Sequence, residues 1–219
     1  MSYFRELPDI SAVSLLPGRQ RSDERVLVKN IYKRAKLRTD IDYAITAFDI
    51  KMIKEGERPD TIAAELYNDS ELDWVILTCN NITSVRDQWP LSNNDLHSYM
   101  LDKYGSEAAL LEPHHYETRE IRDQYNRTVL EAGLEVDQNF VFSYTPIGGV
   151  TQDISAAGPV SNYEYERTVN DAKRVIRILK EEYVGGLVSD MRSMMKYESS
   201  SQFLDRTTKE TYNPKDFGI

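Results

Sequence analysis

Cysteine, histidine and tryptophan are scarce in this 219-residue chain, which has one Cys, three His and two Trp. The single cysteine, Cys79, cannot close an internal disulfide and is no zinc framework, so a disulfide-stapled secreted scaffold is excluded and synthesis in a reducing cytoplasm is expected. Long apolar runs are missing as well: no stretch of about 18 apolar residues occurs, which excludes a membrane-spanning helix. The N-terminal stretch carries Arg5, Glu6, Pro8 and Asp9 where a signal peptide needs an apolar core, so Sec export is not expected.

Catalytic signatures are also lacking. The chain has no G-x-S-x-G, no G-x-x-x-x-G-K-[ST], no H-E-x-x-H and no G-x-G-x-x-G. His114 and His115 adjoin Glu112 and Glu117, but neighbours on a strand point to opposite faces, so they read as surface strand residues and no metal is expected. Cys79 falls at a helical apolar position beside Ile76 with no base nearby in sequence, which reads as core packing. Asp69, Glu71 and Asp73 alternate but lack the glycine of a calcium loop, and helix capping accounts for them. No enzyme activity, catalytic residue, cofactor or small-molecule substrate is expected.

What is present points to a thin core with surplus surface. Hydrophobic residues make up 40%, charged residues 29%, and the mean hydropathy is -0.56. The net charge of -9 disfavours a general nucleic-acid binder, yet between Gly18 and Thr39 eight basic residues face two acids, Asp23 and Glu24. Such a segment can be a solvated face paired with the chain's own acids, a dock for an acidic protein surface, or a nucleic-acid contact. Tyrosine, at 14, outnumbers Phe and Trp together, and its amphipathic ring suits surfaces that are buried on assembly.

The pattern predicts a mixed α+β chain. Residues 1–24, with Pro8 and Pro17 and no sustained period, read as an extended arm. Phe48, Ile50 and Met52 alternate with polar residues as in a half-buried strand, and Gly56 ends it. Pro59 opens a helix with Ile62, Ala63, Leu66 and Tyr67 on one face; Ser70 then caps a second carrying Leu72, Val75, Ile76 and Cys79, with Trp74 and Leu77 apolar on its other side. Ser92, Asp95 and Gly105 bracket a third helix. A hairpin is expected to pair His115–Glu120 with Arg127–Glu131 around the turn Asp123–Asn126, followed by a strand at Phe140–Tyr144 and a linker-like loop from Pro146 to Pro159. Ser161 and Glu164 form a capping box. Beyond it, Arg174–Leu179 fits a continued helix or a β-branched strand equally. Val184, Leu187, Val188, Met191, Met194 and Met195 predict a final amphipathic helix, and residues 197–219 a loose polar tail.

The block Phe48–Ile82, with Ile50-Lys51, Gly56, Arg58-Pro59-Asp60, Ile62-Ala63, Tyr67, Trp74, Ile76-Leu77 and Asn80-Asn81, resembles a LysM-type β-α-α-β module. More specifically, it is similar to the LysM-like baseplate wedge proteins of T-even-like contractile-tailed phages. The likeness continues through Trp89 and Lys103-Tyr104, more weakly through Asn30-Ile31-Tyr32 and the C-terminal helix, and covers about residues 25–195. It implies a strand around Ile176. It also implies a structural virion protein of the tail baseplate, made in the cytoplasm of the infected bacterium, whose partners are other wedge subunits and neighbouring wedges rather than nucleic acid or membrane. The alternative is a LysM-type peptidoglycan-binding module of a cell-wall-associated protein. Against it, the usual G-D-T entry of sugar-binding modules is replaced by Gly56-Glu57-Arg58-Pro59-Asp60-Thr61.

The expected organisation is therefore an arm at 1–24, a LysM-like module with flanking helix and hairpin at 25–145, a C-terminal helical segment at 160–196 and a polar tail at 197–219. The module's core is expected to include Phe48, Ile50, Ile62, Leu66, Leu72, Ile76 and Cys79. The candidate partner interface comprises Lys29, Lys33, Arg34, Lys36 and Arg38 from the basic stretch, with Tyr3, Phe4, Phe203 and Tyr212 as apolar anchors on terminal segments ordered only in the particle.

Overall fold

A computed structural model describes residues 2–14 and 24–211; the expected anchor Tyr212 and much of the basic stretch before Glu24 lie outside them. The described part of the arm is paired rather than free. After a one-turn helix α1 (Tyr3–Glu6), strand β1 (Asp9–Val13) runs antiparallel to β2 (Arg25–Lys29), with Asp9 opposite Lys29 and Val13 opposite Arg25. Opposite charges at facing positions favour this register, and Lys29 Nζ meets Asp9 Oδ1 at 3.0 Å.

Helix α2 (Thr39–Asp42) precedes β3 (Phe48–Met52), α3 (Pro59–Tyr67), α4 (Asp73–Cys79) and α5 (Val85–Gln88). Pro59 takes the first helical position, where its missing N–H has no intrahelical role, and Asn68 ends α3 in the left-handed region at φ 54°. Asp69, not Ser70, accepts from the Glu71 N–H, because a 3-10 turn at Ser70–Leu72 stands between the cap and α4. Ile62, Ala63, Tyr67, Trp74, Val75, Ile76 and Cys79 are buried.

The second unit comprises Pro90–Arg174. Helix α6 (Asn93–Tyr104) starts with the Asp95 N–H donating to Ser92 Oγ and ends at Gly105, φ 84°, as its local signals predict. Helix α7 (Glu107–Leu110) leads to β4 (Pro113–Thr118), β5 (Ile121–Arg122), β6 (Thr128–Leu130), β7 (Glu135–Val136), β8 (Val141–Tyr144), β9 (Gln152–Ser155), β10 (Ala157–Ser161) and α8 (Asn162–Ala172). The turn at Asp123–Asn126 is present, with Asp123 Oδ1 accepting from the Tyr125 and Arg127 N–H groups, but it joins only the short ladder of β5 and β6. The strand at 113–118 pairs instead with β10 and β7. The expected linker at 146–159 contains the turn of the hairpin β8–β9 and part of β10, so it lies inside this unit.

The chain then returns to the first unit with β11 (Val175–Leu179), α9 (Glu181–Met194), β12 (Phe203–Asp205) and β13 (Thr208–Glu210). The ambiguous segment is a strand, antiparallel to β3. It is the second strand of the β-α-α-β order, so the expected module is not complete within Phe48–Ile82: residues 90–174 are inserted before its closing strand. The described part of the polar tail is also paired, with β13 parallel to β1 in a sheet ordered β12-β13-β1-β2.

Register decides which residues of β3 are inside. Asp49 faces Ile178 and Lys51 faces Ile176, and both isoleucines are buried, so the apolar half of this face comes from β11. Ile50 and Met52, expected inward, are 79% and 69% exposed, and Leu66 is also exposed. Phe48 and Leu72 are partly buried against the core. On β11's other side the Asn80 side chain acts like a strand: its Nδ2 donates to the Arg177 carbonyl and its Oδ1 accepts from the Arg177 N–H, both at 2.8 Å.

Candidate assembly surface

From Lys33 to Arg38 the chain is extended without joining a sheet, and it alternates. Ala35 and Leu37 are buried while Arg34, Lys36 and Arg38 are exposed, so apolar residues pin the strap and cations line its outer side. The Ala35 N–H donates to Tyr3 Oη at 3.0 Å, and the Tyr3 ring packs against Trp74 with centroids 5.7 Å apart. Tyr3 therefore anchors α1 to its own chain, whereas Phe4, edge-on to Tyr3, is 67% exposed.

The strap has a cavity on either side, each about 460 Å³. Tyr3, Phe4, Lys33, Arg34, Trp74 and Leu77 contribute to the first, and Arg34, Lys36, Leu37, Thr78 and Arg177 to the second. Glu71 and Asp73 also line the first. Burial raises the Asp73 carboxyl above the ordinary aspartate value, with Asp60 and Glu71 adding repulsion.

The five expected cations divide into two sets. Lys29 is spent on Asp9 and the Leu7 carbonyl. Arg38 pairs with Asp40 at 2.6 Å and Asp190 at 3.5 Å; the hydrogen bond to Asp40 raises the guanidinium and lowers the Asp40 carboxyl. Lys33 donates to the Lys196 carbonyl at 2.7 Å and lies over the Tyr197 ring, and burial lowers its ammonium from the usual lysine value. Arg34 donates to Asn81 Oδ1. Among the described residues Lys33, Arg34 and Lys36 form no ion pair with a carboxylate. Phe203 lies in β12 opposite Lys209 and lines neither of the two cavities beside the strap.

Other candidate chemistry resolves differently. The Cys79 thiol is buried and pushed up to about 12 by that burial, which suppresses the thiolate a nucleophile requires. His114 and His115 do not point apart: their Nδ1 atoms are 3.0 Å from each other, because β4 and β10 shift register between Val160 and Ser161 and the irregularity re-aims His114. His114 stacks on Tyr165 at 3.8 Å, and His115 Nε2 meets Glu117 Oε1 at 2.9 Å. Among the described residues no group of three or more His, Cys, Asp or Glu side chains could hold a metal.

A family model described as base plate wedge protein 53 matches residues 19–195, most of the chain and all of the strap. The chain belongs to the base plate wedge protein 53 family. It is a structural protein of the bacteriophage virion, found in the tail baseplate, where a wedge protein is in contact with other baseplate proteins. No curated protein matches the sequence. As a wedge-family member, the chain needs surface that partners can use, and of the expected interface residues the structure gathers Tyr3, Phe4, Lys33 and Arg34 around one cavity. The sequence reading missed Glu71 and Asp73 as cavity residues because they sit where helix capping already accounts for acids.

Proposed function

We propose that this wedge-family protein joins neighbouring wedges during baseplate assembly, docking through the strap onto an acidic surface of another baseplate subunit. The observation that supports this reading most is the trio Lys33, Arg34 and Lys36, which alternate with the buried Ala35 and Leu37 and form no ion pair with a carboxylate among the described residues; Arg34 and Lys36 are exposed, and Lys33 is half-buried over Tyr197. Unspent charge of one sign steers and orients encounter with the opposite sign, while Lys29 and Arg38, already paired within the chain, have less to offer. Two compact units, each with its own buried cluster, also suit a part that must hold more than one neighbour. The order β3, α3, α4, β11 favours a LysM-like reading of the first unit's centre, used here as a scaffold for protein contact.

The test is the triple variant Lys33→Glu, Arg34→Glu, Lys36→Glu. The isolated protein should keep its circular dichroism and, to within the loss of one exposed hydrogen bond and one ring contact at Lys33, its melting curve, since Arg34 and Lys36 are exposed. Purified tails from cells supplying only this variant should lack the protein by mass spectrometry. Normal incorporation would refute docking through the strap.

A further inference from the structure

We infer that the cavity between the strap and α4 is the seat of an extended peptide segment from a neighbouring baseplate protein. That segment carries carboxylates at one end, a large apolar anchor in the middle and a cation at the other end. The inference rests on the wedge-joining reading and adds the place and chemistry of one contact.

The apolar requirement comes from the lining. Trp74 is only 4% exposed and forms the cavity's interior with Leu77 and Ile82, while Phe4 and Ile31 stand at it 67% and 68% exposed. A volume of about 460 Å³ accommodates one or two large side chains. Aromatic and aliphatic surface left open in an otherwise lean protein is where an interface anchor gains most from leaving water. Trp74 Nε1 is buried and has no acceptor among the described residues.

The charge requirement comes from the two segments that line the same cavity. Lys33 and Arg34 belong to the strap and form no ion pair with a carboxylate among the described residues, Glu198 acting on Lys33 only at longer range. Glu71 and Asp73 belong to the turn and first residue leading into α4. Glu71 and Asp73 make this end of the cavity acidic, which a cation on the bound segment complements. A polyphosphate backbone would meet Lys33 and Arg34 favourably but would be repelled by Glu71 and Asp73, so the mixed signs select a peptide over nucleic acid. They also give the segment a direction: its acids lie toward the strap and its cation toward the start of α4.

The experiment places the photo-cross-linker p-benzoylphenylalanine at Phe4, with a second version at Ile31 in case the first is not incorporated and a control at the exposed Tyr125 of the other unit. Tails are purified, irradiated, digested and sequenced by mass spectrometry. The expected result is a cross-link from position 4 or 31 to a segment of another baseplate protein with acids and a cation flanking an apolar residue. That segment, made as a labelled peptide, should bind the isolated protein with at least tenfold weaker affinity after Lys33→Glu with Arg34→Glu, and unchanged affinity after Ile50→Glu. A cross-link to this chain's own residues, one to a segment without this charge order, no cross-link in tails that contain the protein, or peptide binding indifferent to the double charge reversal would each overturn the inference. Absence of the wild-type protein from tails would instead overturn the wedge-joining reading.

Discussion

In the first unit α9 turns Val184, Leu187 and Met191 toward the core, whereas in the second α8 turns Asn162, Glu166 and Asn170 inward at the same kind of helical spacing. The alkyl face gains from burial in any orientation that excludes water. The polar face gains only where its groups find partners, and each of the three residues has at least one. Asn162 Nδ2 donates to the Ala109 carbonyl, Glu166 Oε1 accepts from Lys103 Nζ and Tyr104 Oη, and Asn170 both accepts from and donates to the backbone of Leu91. With only Leu96, Met100 and Leu110 as its buried apolar cluster, the second unit depends on this directional docking for a defined packing. A thin core can be completed by hydrogen bonds, but those bonds fix position far more strictly.

The largest expected break of this contrast is Trp74→Ala. Emptying a buried indole site costs about 3 to 5 kcal/mol, and the variant also loses the packing of Tyr3 that holds α1. Denaturant unfolding of the full chain should show that loss while amides of α8 keep their exchange protection. An unchanged unfolding curve would mean that Trp74 contributes little to the first unit. A smaller effect is expected from Glu166→Ala, which strips the acceptor from Lys103 and Tyr104. Lys103 is partly open to water, so the loss should be about 1 to 3 kcal/mol, read as faster exchange in α6 and α8 with the first unit unaffected. The same pair gives a pH signature. The Glu166 hydrogen bond raises the Lys103 ammonium above its ordinary value, so its contribution is complete below that value and disappears as pH rises through the raised one.

The smallest expected effect, under about 1 kcal/mol, is Asp73→Asn. Because the folded chain raises this carboxyl, its ionisation weakens folding as pH climbs past the ordinary aspartate range. The variant should therefore be slightly more stable than the parent at neutral pH and equal to it in acid, as melting curves at the two conditions would show. A variant less stable at neutral pH would make Asp73 a net contributor through the N-terminus of α4 and weaken the case that the fold holds this carboxylate at a cost.

Legibility followed the range of the interaction. The bounds of α6 rest on Ser92, Asp95 and Gly105, all within or next to the helix, and they were readable. The side of β3 that is buried rests on β11, more than a hundred residues later, so nothing near Ile50 could reveal that it faces out. The inward face of α8 was hidden for a different reason: its docking residues Asn162, Glu166 and Asn170 are polar, so apolar periodicity passes over them. At the assembly surface the basic run was plain in composition. Which cations pair with carboxylates depended on Asp9, Asp40 and Asp190, two of them distant in sequence from their partners.

The clamp between Asn170 and Leu91 has a consequence for the order in which this chain can fold. It ties the first residues of the second unit to its last helix, so an already folded second unit brings its own two ends together. β3 and β11 must find each other across residues 90–174, and closing a loop of that length as a loose chain costs about 2 to 3 kcal/mol more entropy than closing one of a few residues. A nascent chain that completes the inserted unit first meets the shorter closure. The first unit, whose strands β12 and β13 are the last described elements, then folds around a junction already made, and Asn170 acts on the rate of that step as well as on the stability of its own helix.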